Sequence, residues 1–228
     1  MPVDTRADTH CDREQTAYEA SLPARLQHVF WIGGGSGSGK TTISRRLAEE
    51  HGLRLYATDD VILDHAGRST REDSPLLAAF TAMDMDERWV NRSPETMLET
   101  FHWFRGEGFA LIVEDLLGLP AEPRLIAEGF RLLPHLVEPL LAAHAHAVWL
   151  LPTPDFRRAA LESRGSLWSI AGKTIDPQTA LSNLLERDRM FTDRLRDETK
   201  RLGLTAIEVD TAMTEDELVR QVTQAFGF

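Results

Sequence analysis

The sequence predicts an α/β protein built on a parallel β-sheet, and three observations carry that prediction. An apolar run, Val29 to Ile32, leads through a glycine-rich stretch, Gly33 to Gly39, into the helix-like segment TTISRRLAEEHG. Four further short apolar segments follow, separated by helical patterning, and such alternation implies parallel strands joined by right-handed crossovers. The 228 residues, 42% of them hydrophobic, suit one α/β domain with a small insertion and ample core material. Residues 1–26 read as a polar N-terminal extension and 27–228 as a single domain, without repeats or low-complexity tracts.

Each element has its own signal. Glu14 to Leu26 has the composition of a short helix, and Pro23 ends it before the first strand. Gly52 stops the helix that follows the glycine-rich stretch, and Leu53 to Ala57 reads as the second strand. Residues 61–93 mix charge with Leu76, Leu77, Phe80, Met83 and Trp89, and are expected to form a helical insertion covering a substrate. Ser93 and Pro94 start a helix carrying Met97, Leu98, Phe101 and Phe104, stopped by Gly106 and Gly108. Phe109 to Leu119 is rich enough in Ile and Val for a strand. Its apolar residues nevertheless share one helical face, which favours helix. Arg124 to Glu128 is the third strand, Leu133 to Ala143 a helix, and Ala145 to Leu151 the fourth strand. Phe156 to Ser163 is helical, 165–177 loop-like, and Pro177 to about Leu202 a long charged helix ended by Gly203. The stretch LTAIEVD is the fifth strand, and Thr214 caps a last helix, Glu215 to Phe226.

The glycine-rich stretch fits G-x-x-x-x-G-K-[ST], with Gly34, Gly39, Lys40 and Thr41 in the fixed places and Gly35, Ser36, Gly37, Ser38 and Thr42 completing the cradle. Without Cβ atoms in the way, backbone N–H groups can point inward at phosphate oxygens. The following helix adds its unpaired N–H groups. Lys40, expected on a solvent-facing loop, would reach the β- and γ-phosphates, and the Thr41 hydroxyl would ligate Mg²⁺. A flexible linker needs neither the Lys-Thr ending nor the flanking strand and helix. The glycines do not stand in the G-x-G-x-x-G register of dinucleotide-binding loops.

Composition narrows the function classes. The net charge of −11 repels polyanions and disfavours a long nucleic-acid partner or an RNA- or DNA-end substrate. No apolar run reaches the length of a membrane span, and the N-terminus lacks an apolar signal region, so a cytoplasmic protein is expected. The single cysteine, Cys11, excludes an internal disulfide, and the eight histidines lack metal-ligand spacing.

Three features extend the loop into a constellation. Asp59 and Asp60 follow the second strand, at the sheet end where ligands bind in open α/β folds. A carboxylate there can take the proton of a phosphoryl acceptor, or Asp59 can simply cap the next helix. Glu128 and Gly129 end the third strand, where an acid can contact Mg²⁺ directly or through water, or be merely an exposed strand end. Arg157, Arg158 and Arg164 precede the 165–177 segment, and Arg187 and Arg189 follow it. Arginine neutralises charge on a transferred phosphoryl group, and a segment between two arginine-bearing helices has the form of a lid. Arg164 and Arg187 stand nearest its hinges, with Lys173 a further cation inside it. Asp60 and Arg131 are expected to face the acceptor.

The segments GGGSGSGKTT, ATDD, IAEG and the arginine-flanked lid stand in the order found in the P-loop small-molecule kinases, which this sequence resembles over roughly residues 28–226. That superfamily includes nucleoside monophosphate kinases, shikimate and gluconate kinases and chloramphenicol phosphotransferases. The resemblance implies a three-layer P-loop NTPase fold with five parallel strands in the order 2-3-1-4-5. It also implies ATP as donor, Mg²⁺ as cofactor, a small-molecule acceptor, and Asp59 as the acceptor's base. Two departures matter: the arginine-rich AMP-binding pattern of adenylate kinases is missing, and the Glu-Gly pair occurs in branches with different acceptors. A nucleotide-binding ATPase switch acting on a protein partner is the competing expectation.

Overall fold

The computed structural model of the protein describes residues 22–164 and 166–228. Five strands, β1 (Val29–Gly34), β2 (Arg54–Ala57), β3 (Leu125–Glu128), β4 (Ala147–Pro152) and β5 (Thr205–Val209), form one sheet in the order β2-β3-β1-β4-β5. Every neighbouring pair is parallel. The three central strands are buried on both faces, which is why they read as unbroken apolar runs.

Alternation along the strands splits the core into two layers. Phe30, Ile32, Ile126, Val148 and Leu150 face α1 (Lys40–His51) and α11 (Glu215–Phe226), meeting Ile43, Leu47, Leu218 and Val222. Val29, Trp31, Leu125, Ala127 and Trp149 face the other way, toward Leu184, Phe191 and Leu195 of the long α10 (Pro177–Leu202). Each fully buried Leu or Phe contributes on the order of 2 kcal/mol of transfer free energy. Helix, sheet and helix therefore stack as three layers, with the chain's crossovers holding both faces dry.

Between β2 and β3 the chain makes a run of short helices: α2 (Ile62–Arg68), α3 (Pro75–Ala82), α4 (Met85–Trp89), α5 (Pro94–Thr100), a 3₁₀ turn at His102–Arg105, and α6 (Phe109–Gly118). Local chemistry keeps them short. Asp84 and Glu87 form a reciprocal capping box, Ser93 caps α5, and prolines open α3 and α5. Gly106 and Gly108 turn left-handed around the 3₁₀ segment. Residues 109–118 are helical, as their periodicity favoured, and Ile112 and Leu116 are fully buried. The helical region thus runs from Ile62 to Gly118 and takes in the helices expected after residue 93.

Three expectations are corrected. Leu133 to Ala143 is not one helix but a single turn, α7 (Pro134–Val137), followed by a 3₁₀ turn at Glu138–Leu140. Pro139 cannot donate the next helical hydrogen bond. The helix from Pro94 ends at Thr100, so Phe101 and Phe104 reach the core from beyond it. The 165–177 segment contains α9 (Ser166–Ala171), after α8 (Pro154–Arg164). Its glycines, Gly165 and Gly172, flank the apolar SLWSIA stretch and do not interrupt it. No helix among the described residues is long and apolar enough to cross a membrane.

Gly129, just after β3, has φ +152°, and a Cβ there would lie 1.7 Å from Thr58 Oγ1. Gly129→Ala is expected to lower unfolding free energy by at least about 3 kcal/mol. Gly118→Ala, where a Cβ meets nothing within 4 Å, should be neutral or stabilise by up to about 1 kcal/mol. Urea unfolding midpoints of the two variants check this contrast.

Candidate functional site

The loop joining β1 to α1 lies at the carboxyl edge of the sheet. Gly34 has φ +137°, and a Cβ on it would come within 2.2 Å of the Leu150 carbonyl, so this position admits only glycine. Gly37 and Gly39 also have positive φ, and Gly39 is the left-handed N-cap of α1 without any capping side chain. The first turn of α1 carries no acid, so its N–H groups stay open to an anion. Lys40 is 8% exposed, contrary to the expectation of a solvent-facing position. Its Nζ donates to Gly35 O at 2.7 Å, Gly34 O at 3.3 Å and Ser38 Oγ at 3.4 Å. The ammonium thus sits inside the curl of the loop because the loop's own carbonyls replace the water it gives up. Thr42 is exposed on the first turn of α1.

Glu128 is held between two strands, in register with Ile32 and Ala57. Its carbonyl accepts from Thr58 N–H at 2.8 Å, and Gly129 N–H donates to Ile32 O at 3.1 Å. The side chain is 2% exposed and accepts from Thr41 Oγ1 at 2.9 Å, so it is not an exposed strand end. Burial pushes its carboxyl above the usual range. Lys40 and the Thr41 bond oppose that rise, whereas Asp59 and Asp60 add to it.

Asp59 follows Thr58 and so stands beside Glu128 at the same edge. It is not a helix cap: α2 has Val61 at that place, with no side-chain bond. Asp59 and Asp60 are exposed as residues, and no side-chain hydrogen bond joins either to another described residue. The protein mass around Asp59 still raises its carboxyl, with Lys40 and Arg131 pulling it down and Asp60 pushing it up.

The arginines divide sharply. Arg131 is 2% exposed; it donates to Thr58 O at 3.4 Å and Gly108 O at 3.2 Å, contacts His65 Nδ1 at 3.0 Å, and lies over the Trp103 ring. A guanidinium only donates, so His65 Nδ1 accepts and its Nε2–H donates to Asp115 Oδ2 at 2.7 Å. Asp115 also accepts from Tyr56 at 2.7 Å and Arg68 at 3.0 Å. Burial works against its charge, but the bonds from Tyr56, His65 and Arg68 hold its carboxyl below the usual value. Sequence reasoning missed this chain, since His65 and Asp115 meet only through packing of α2 on α6.

Arg187 is 7% exposed, bonded through Nε to Asp188 Oδ1 at 2.7 Å and surrounded by Trp89, Phe101 and Phe104. Arg157 pairs with the other Asp188 oxygen and donates to Leu185 O at 2.9 Å. Reaching a phosphoryl group would require Arg187 to leave Asp188. Those three rings belong to the hydrophobic core and enclose Arg187. The side chain of Arg164, at the end of α8, lies outside the described residues, as does Gly165.

Thr41 and Glu128 supply two hard oxygen donors, a set that fits a Mg²⁺ ion taking its other ligands from phosphate and water. Among the described residues no group of three or more His, Cys, Asp or Glu side chains could hold a metal alone. Comparison of the sequence with protein-family models and with curated proteins finds no match. Among solved structures the chain is similar to an uncharacterized protein from Eubacterium ventriosum ATCC 27560. The TM-score is 0.46 and the identity 15%, over 88% of this chain and 98% of that one, and so distant a likeness carries no argument.

The raised carboxyl of Glu128 gives a pH prediction. Because the folded state binds this proton more tightly than the unfolded state, the associated stability is fully present below the unfolded value, about 4.3. It is lost as pH rises through the folded value. Glu128→Gln keeps the acceptor for Thr41 and removes the charge. Its melting temperature should match wild type near pH 4 and exceed it once the pH has risen through the folded-state value, as read by calorimetry.

Proposed function

We propose that the protein is an ATP-dependent phosphotransferase of the P-loop small-molecule kinase type, moving the γ-phosphoryl group of ATP to a hydroxyl or phosphate of a small molecule. The observation that carries this reading is the convergence of three groups at one sheet edge. The glycine-rich loop encloses Lys40, Thr41 bonds Glu128 from the neighbouring strand, and Asp59 follows the strand after that.

In this reading the loop amides and the open first turn of α1 bind phosphate oxygens. Lys40 exchanges the carbonyls of Gly34 and Gly35 for the β- and γ-phosphates. Thr41 and Glu128 would hold Mg²⁺, which when bound would supply positive charge against that of the phosphates. Asp59 takes the acceptor's proton as the new P–O bond forms and the bond to the bridging oxygen of ADP breaks. The region α2–α6 covers the acceptor, and α9 with its flanking residues forms the lid. The lid's C-terminal hinge is tied to the insertion, since Ile175 N–H donates to Asp86 Oδ1 at 2.7 Å and Asn183 Nδ2 donates to Trp89 O at 3.1 Å.

An acceptor screen with purified protein, ATP and Mg²⁺, following ADP release, tests the reading. ADP release indifferent to every acceptor would favour a nucleotide switch. Lys40→Ala should lower transfer on the order of 10²-fold or more, with some loss of stability because the residue is buried. Asp59→Asn should leave ATP affinity near wild type while transfer falls by about 10²–10⁴-fold, with Asp60→Asn milder. Isothermal titration of ATP beside steady-state turnover separates these effects. Equal loss of both in Asp59→Asn would make Asp59 a metal or folding residue.

A further inference from the structure

The cations and anions around Asp59 differ in their access to solvent. The cations acting on Asp59 are Lys40 and Arg131. Both are buried and engaged, one by loop carbonyls, the other by Thr58 O, Gly108 O and His65. Arg131 cannot swing outward without giving up its contact with His65, whose other nitrogen bonds Asp115 of α6. The other arginines nearby are also occupied: Arg68 by Asp64, Glu114 and Asp115, and Arg88 by the carbonyls of Phe80 and Thr81. Arg71 lines a separate hollow between α2 and α3. Among the described residues around Asp59, the exposed charges are therefore Asp59 and Asp60 themselves. One turn further on stands Leu63, an apolar side chain left 86% exposed at the start of α2.

We propose that the acceptor taken by this site is a hydroxyl compound without phosphate or carboxylate groups, neutral or cationic, with an apolar face that rests on Leu63. The proposal depends on the phosphotransferase reading and narrows it. A phosphorylated acceptor needs an accessible guanidinium or ammonium to offset its charge. Among the described residues whose charge acts on Asp59, the exposed one is the negative Asp60, and the pair repels anions and raises the local concentration of cations. The exposed Leu63 also loses its unfavourable contact with water when an apolar surface covers it.

Three probes sharing one phenolic ring but differing in charge test this: tyramine (cation), tyrosol (neutral) and 4-hydroxyphenylacetate (anion). Each is titrated into the full-length protein holding a non-hydrolysable ATP analogue and Mg²⁺, while the Leu63 methyl resonances are followed. Tyramine and tyrosol should shift Leu63, with 4-hydroxyphenylacetate at least about tenfold weaker. The exposed substitution Asp60→Lys should bring the anion to within about threefold of tyrosol. The proposal is overturned if the anion binds as tightly as tyrosol, if Asp60→Lys leaves the ranking unchanged, or if all three probes leave Leu63 unmoved. Failure of the phosphotransferase reading would appear elsewhere, as undiminished ADP release by Lys40→Ala. A failed charge series beside an inactive Lys40→Ala sinks only the acceptor class.

Discussion

Glu128 is a carboxylate held almost out of water at the middle of the sheet's working edge, and the rest of the site is arranged around it. Its carbonyl fixes Thr58, and hence the point at which Asp59 leaves β2. Its side chain takes the Thr41 hydroxyl at the start of α1. The glycine that follows it lets the chain pass close under Thr58. A buried carboxylate is costly unless it is paired or hydrogen-bonded. Thr41 and the nearby charge of Lys40 offset part of that cost, and the position of one acid binds three strands and a helix into one geometry.

The second organising contact is Arg131, three residues on. It is buried, with its pKa pulled below the ordinary guanidinium value by burial and supported by Tyr56, Asp59 and Asp115. Through His65 and Asp115 it couples the end of β3 to α2 and α6. The helical region between β2 and β3 is therefore anchored beside Asp59 and not hung from its ends. Removing one partner of such a chain leaves a buried charge uncompensated, so its members act as a unit.

On the opposite side of the loop, Asp188 and Arg187 of α10 form a second buried set with Arg157 of α8, and three aromatic rings enclose Arg187. Thr192 and Pro152 pack against Gly35, where a Cβ would lie 2.6 Å from Thr192 Oγ1. The first residues of the glycine-rich loop are thus braced by α10 and β4 and lie ahead of α1. Rigid support of this kind fixes the orientation of the loop's N–H groups.

The five strands, their parallel arrangement and the long helices were legible in the sequence because apolar period and capping residues act locally. The run Val29–Ile32, the Pro177 start and Gly203 stop of α10, and the Thr214 cap of α11 each carry their own signal. The glycine-rich loop was legible for the same reason, since its glycines and Lys40 adjoin in sequence. Burial and partnership were not legible. Nothing near Arg131 announces that His65 and Gly108 will enclose it, and nothing near Arg187 announces its aromatic surroundings. Lys40, which local pattern placed in solvent, is folded into its own loop. These facts depend on which distant surfaces pack together, and only the tertiary structure brings α2 onto α6 and the insertion onto α10. By itself the sequence determined which side chains can carry charge, turn the chain or fill the core. The tertiary structure decided which of those charges face solvent, because desolvation and pairing are set by neighbours far away in the chain.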